Sequence, residues 1–193
     1  MGEHISIIVK LLEIISGRVL HIMKFEKVNV EVFKKFLAKG DAMESTQQRD
    51  DKVKYFEETL ILPKRGTAFS AGYDFICPVD VFIEPGKKVL IPTGIKVMLD
   101  QDKMLNVYPR SGLGTKQDCV MANTVGIIDA DYYGNPDNEG HILIMIKNNS
   151  KENVSIKQGD KFCQGIIVQY FVIESDEIGV GAVRTGGIGS TGR

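Results

Sequence analysis

From Val53 onward the chain alternates short apolar runs, rich in β-branched and aromatic residues, with breaks at proline and glycine. The runs are Leu60–Leu62, Tyr73–Cys77, Val81–Ile83, Lys88–Ile91, Ile95–Leu99, Leu105–Tyr108, Cys119–Met121, Val125–Ile128, His141–Lys147, Val154–Ile156 and Phe162–Tyr170. Breaks fall at Pro63, Pro78, Glu84-Pro85-Gly86, Pro92, Pro109, Gly134-Asn135-Pro136 and Gln158-Gly159-Asp160. Many short strands at regular spacing predict an all-β sandwich or barrel. Strands do not alternate with helices, and no GxxxxGK[ST] stretch occurs, which excludes a P-loop nucleotidase.

Ahead of Val53 the texture differs. Phe25, Val28, Val32, Phe33, Phe36 and Leu37 predict a short amphipathic helix within Met23–Lys39. Gly40–Lys52 is polar and reads as a linker or an exposed helix end. Met1–Ile22 is apolar but interrupted by Glu3, Lys10, Glu13 and Arg18, so it falls short of the ~20 apolar residues of a membrane span. Three readings compete for it: an amphipathic helix, a lipid-anchored segment (Met1-Gly2…Ser6 fits the loose myristoylation pattern), or upstream sequence translated from a start codon assigned too early. Met23-Lys24-Phe25 resembles a natural beginning and favours the third. At the other end, Arg184–Arg193 has four glycines in ten residues. It cannot build a core, and its unshielded amides suit an anion. The expected organisation is residues 1–22 as a separate segment, 23–55 as a helical extension and linker, 56–175 as a β domain, and 176–193 as a tail.

Charge and composition narrow the chemistry. Net charge is −1, so no global basic field draws in nucleic acid. Cys77, Cys119 and Cys163 are widely spaced without a CxxC, and His4, His21 and His141 stand in no ligand spacing. A disulfide framework, a zinc centre and a Ser-His-Asp triad are all disfavoured. Catalysis then falls to carboxylates, arginine and backbone donors. The free thiols and the lack of a credible export signal point to the cytoplasm.

Five segments could carry that chemistry. Asn123–Tyr132 is an apolar run ending in Asp129, Asp131 and an aromatic residue, and reads as a β-hairpin arm with Asp129 at its exit. A carboxylate fixed there can activate a water, although an acidic turn after a buried strand is the plainer reading. Pro109–Lys116 follows a strand and offers Arg110, Ser111 and the amides near Gly112 to a phosphate. Arg110 could equally pair with a structural carboxylate. Gly159–Gln164 is a turn entering a strand that carries Gln164, Ala71–Phe75 places Asp74 at a strand start, and the glycine-rich tail is the fifth.

In chain order the five segments resemble the motifs of the trimeric dUTP pyrophosphatases (dUTPases). Ala71–Phe75, Pro109–Thr115, Gly126–Tyr132, Gly159–Gln164 and Arg184–Gly192 match them in turn, from about Leu60 to the C-terminus. The resemblance implies a jelly-roll-like β-fold, a homotrimer with shared active sites, and hydrolysis of dUTP to dUMP and pyrophosphate. Such a reaction keeps uracil out of DNA and supplies dUMP for dTMP synthesis. It implies Asp129 as the general base orienting a water toward the α-phosphorus. Tyr132 would pack on the deoxyribose, with Asn123 and the backbone at Gly126 and Ile128 reading the uracil edge. Arg110, Ser111, Gly112 and Gln164 would contact phosphates, and Arg184, Gly189, Ser190 and Thr191 would close over them. One Mg2+ is expected on the triphosphate, with Asp74 as an outer-shell partner through water. Ile188 stands where the family usually carries Phe, and Tyr133–Gly140 resembles a small insertion. The nearest rival is a dCTP deaminase of the same fold. The position matching its catalytic glutamate is Met145, which cannot shuttle protons. A non-catalytic regulatory or protein-binding relative is the reading from another class.

Overall fold

The structure, a computed structural model, describes residues 22–37 and 45–174. Twelve strands form among them: β1 Lys24–Lys27, β2 Lys64–Arg65, β3 Tyr73–Ile76, β4 Val81–Ile83, β5 Lys88–Pro92, β6 Ile95–Met98, β7 Lys103–Pro109, β8 Cys119–Met121, β9 Gly126–Asp129, β10 Leu143–Asn148, β11 Val154–Ile156 and β12 Lys161–Gln169. The largest sheet has the order β2-β3-β12-β7-β9, a second has β5-β10-β8, and β1-β6 and β4-β11 form two pairs. All pairings are antiparallel, and most join strands far apart in sequence, as in a jelly-roll-like β-fold. The period-two pattern drives it. Along β10, buried Ile144, Ile146 and Asn148 alternate with the more accessible Leu143, Met145 and Lys147. Phe75, Phe162, Leu105, Val107, Ile91 and the β10 isoleucines fill the core.

Two sequence expectations change. Residues 24–27 form β1, not the start of a helix: Phe25 faces Tyr73 and Phe75 at ring separations of 5.3 and 5.8 Å, while β1 pairs with β6. Alternation of Phe25 with charged neighbours suits a strand, and the helical count fails because Asn29 restarts it. The Asn29 side-chain oxygen accepts from Glu31 N–H at 2.9 Å and its carbonyl from Phe33 N–H at 3.1 Å, opening helix α1, Val30–Leu37. Leu60–Leu62 is not a strand; the chain pairs at β2 instead.

The polar stretch holds a second helix, α2, Thr46–Lys54, capped by a reciprocal Ser45–Gln48 box. It leads into a wide turn, Tyr55–Thr59, whose Phe56 stacks on Phe33 at 4.3 Å. Val28, Phe33, Leu37, Phe56 and Leu60 are buried in the same cluster as the β-sheet core. A boundary at residue 55 therefore does not separate two packing units. Residues 1–21, which carry most of the first segment, lie outside the described residues.

Candidate active site

The Asn123–Tyr132 stretch is an arch, not a hairpin. Its arms join different sheets, β8 pairing with β10 and β9 with β7. A tight turn connects them: Thr124 N–H donates to Met121 O at 3.0 Å and Val125 N–H to Asn123 O at 2.8 Å, with Thr124 at φ +69°. Between the arch, β7 and β10 lies a cavity of about 250 Å3. Asn123, Gly126 and Ile128 line it, with Val107, Met121, Ile144 and Met145. Among the described residues, its only charged lining residue is Lys88 and no carboxylate lines it. Gly126 leaves room at a tight point: a Cβ there would come within 3.2 Å of Val107 and 3.3 Å of Met121.

Asp129 ends β9 opposite Met104 and is exposed. The next three residues form a 3-10 turn, Ala130–Tyr132. Tyr132 is 5% exposed. Its hydroxyl donates to His141 O at 3.1 Å and accepts from the Asn138 amide at 2.6 Å. Tyr132 is thus first a core residue locked by two hydrogen bonds, with little ring surface open in the single chain.

The phosphate-type residues gather elsewhere. Arg110, Gly112, Asp160 and Lys161 line a second cavity of about 470 Å3. Arg110 N–H donates to Phe162 O at 2.9 Å, and Arg110 O accepts from Gly114 N–H at 2.8 Å, which starts the wide turn Gly112–Lys116. Ser111 is exposed at the head of that turn and its hydroxyl makes no capping bond. Gln164 lies opposite Asp74 and Tyr108 in the ladder, on their side of the sheet, and a Cβ at Gly72 would approach its Oε1 to 2.5 Å.

Asp74 is buried and holds two cations, Arg110 Nε at 3.1 Å and Lys161 Nζ at 2.9 Å. Both oxygens are engaged, and among the described residues no group of three or more His, Cys, Asp or Glu converges. These residues do not fit a resident magnesium. Asp74 here holds Arg110 and Lys161 in place. Sequence reasoning missed Lys161, whose signal was its place inside Gly159–Gln164, beside the Asp74 strand. Arg184, Ile188, Gly189, Ser190 and Thr191 lie outside the described residues.

Among the described residues, the two cavities share no lining residue. Asp129 faces Met104 on β7, and Arg110 follows that strand's last residue, six positions on. At ~3.3 Å per residue this puts roughly 20 Å between them.

An apolar cavity with an amide at its rim, beside a strand-end carboxylate, and a separate cationic cavity define a nucleotide-handling protein on a jelly-roll-like fold. The sequence model of the dUTPase family matches residues 58–192. The chain belongs to that family, and with it to the hydrolases of nucleotide metabolism. It is 42% identical over 140 residues to the deoxyuridine 5'-triphosphate nucleotidohydrolase of Lactococcus lactis, covering 72% of this chain and 93% of that one. A dUTPase crystal structure from Streptococcus mutans is 40% identical, with a TM-score of 0.55, over 58% of this chain and 88% of that one. The dUTPase of phage phi11 of Staphylococcus aureus shares the fold at 20% identity, TM-score 0.56, over 82% of this chain and 96% of the other. A mutant of that enzyme coordinates a structural Mg(II) ion.

Proposed function

We propose that the chain is a dUTP diphosphatase in which Asp129 activates the water that attacks the α-phosphorus, giving dUMP and pyrophosphate. The observation that carries this reading is the pairing of a carboxylate-free, base-sized cavity under the β8–β9 arch with Asp129 at the end of the strand lining it. Uracil enters the cavity against Ile128 and Gly126, with Asn123 at the rim. A tight apolar wall disfavours the extra methyl of thymine, while polar groups matched to the uracil edge reject cytosine. The missing carboxylate also argues against deamination, since Met145 occupies the wall.

Phosphoryl transfer asks a protein for positioning and charge neutralisation. The Asp129 carboxylate orients the water and accepts its proton. Arg110, held by Asp74, supplies a fixed forked donor, with Ser111, Gly112 and Gln164 around the same phosphates. Tyr132 backs the deoxyribose and leaves no room for a 2′-hydroxyl. Mg2+ travels with the triphosphate in this reading, as part of the substrate complex. Arg184, Ile188, Gly189, Ser190 and Thr191 close over the phosphates from the tail. Because Asp129 and Arg110 stand far apart in one chain, the complete centre takes them from different subunits of a homotrimer, which we place in the cytoplasm.

The test is pyrophosphate release from dUTP, dCTP, dTTP and UTP with Mg2+ under one set of conditions. Release from dUTP alone is expected. Ammonia from dCTP, or no release by folded protein, would overturn the reading.

A further inference from the structure

Residues 24–37 lie ahead of the stretch matched to the family, yet they grip the loop that follows Asp129. That loop, Tyr133–His141, is tied internally: Gly134 N–H donates to Glu139 O at 3.1 Å, Glu139 N–H to Asn135 O at 2.7 Å, and Gly140 N–H to the Asn138 side chain at 3.1 Å. Gly140 has φ +82°, and a Cβ on it would lie 2.4 Å from Tyr132 O. From β1, Glu26 accepts the Tyr133 hydroxyl. From the start of α1, Asn29 N–H donates to Glu139 at 3.1 Å, and Lys96 on β6 donates to the same oxygen at 2.9 Å. Along α1, Lys35 Nζ reaches Asp137 O at 3.2 Å, and the Phe36 ring meets His141 edge-on at 5.2 Å. The loop in turn holds the Tyr132 hydroxyl through Asn138 and His141 O. By contrast, β9 is held by its ladder to β7, independently of β1 and α1.

We infer that β1 and α1 form a brace for the catalytic turn: by holding the Tyr133–His141 loop they set where Tyr132 stands beside the ladder-held Asp129, so that Glu26 and Tyr133 are positioning residues for dUTP hydrolysis and for rejection of the 2′-hydroxyl. The inference rests on the roles given above to Asp129 and Tyr132. It separates turnover from base binding, because the base cavity is walled chiefly by β7, β8, β9 and β10, whereas the brace's polar contacts end on the loop after Tyr132. Misplacing a base or a sugar wall by a fraction of an ångström lowers turnover and selectivity more than affinity.

The experiment compares Glu26→Gln, Tyr133→Phe and the double variant for kcat, KM and the ratio of dUTP to UTP turnover, with melting temperatures alongside. Each single change is expected to lower kcat about three- to tenfold and to shrink the dUTP:UTP ratio, with the double variant close to either single one. KM for dUTP should stay within about twofold, the separation expected when an interaction acts in the transition state. Lys35→Met, an exposed change on α1, should move kcat and the ratio in the same direction and keeps the inference testable should the others fold poorly. Folded variants with unchanged kcat and selectivity, or fully additive losses, overturn the brace. An Asp129→Asn protein made in parallel distinguishes the two failures. If it is inactive while the brace variants behave as wild type, only the brace falls; if it is active, the site reading falls and the brace with it.

Discussion

Asp129 carries the account at the scale of a residue. A positioned general base contributes roughly 10²–10⁴ in rate. Asp129→Asn is therefore expected to fold, to bind dUTP, and to lose turnover by about that factor, checked by steady-state kinetics beside a binding titration. Near-normal turnover would remove Asp129 from its role. The sequence singled out this residue because an apolar run ending in acids is a local signal, and the structure puts it at the exposed end of β9. The burial of Tyr132 was not legible, since of the groups that lock it Asn138 comes from a stretch read as a small insertion and His141 O from the start of the following apolar run. Asp74 was similarly half legible. A carboxylate in a strand start does not announce which cations the ladder will bring to it, and Arg110 and Lys161 arrive from two other elements.

At the scale of the element, the β-strands were read closely because their period-two pattern is dictated by neighbours within the run. β1 was misread because four residues are too few to distinguish a strand from the first turn of a helix, and its partner β6 lies far along the chain. His141 shows what such joins hold together. Buried beside α1, it accepts Gly94 N–H at Nε2 over 2.8 Å, and burial lowers its pKa from 6.5 to about 3. Its folded pKa lies below its unfolded one, so the unfolded chain binds the extra proton between those values. Stability from this group is whole above about pH 6.5 and declines as pH falls toward 3, by up to about 1.4 kcal/mol per pH unit. Thermal melts over that window should show the decline, and His141→Gln, which keeps an acceptor for Gly94, should flatten it. An equal slope in both proteins would place the acid sensitivity elsewhere.

The whole molecule poses the sharpest question, because a single chain places Asp129 and Arg110 toward opposite ends of β7. Fold class was legible from strand count and turn spacing, whereas the separation of the halves required knowing that Asp129 faces Met104 while Arg110 lies past the other end of β7. The most direct measurement mixes two dead proteins. Asp129→Asn and Arg110→Ala, each inactive alone, are unfolded, combined in equal amounts and refolded together, and pyrophosphate release from dUTP is measured. If each centre takes Asp129 from one subunit and Arg110 from another, random assembly makes about a quarter of the centres intact, and activity should return to about that fraction of wild type. No recovery from properly assembled mixtures would contradict a centre shared between chains.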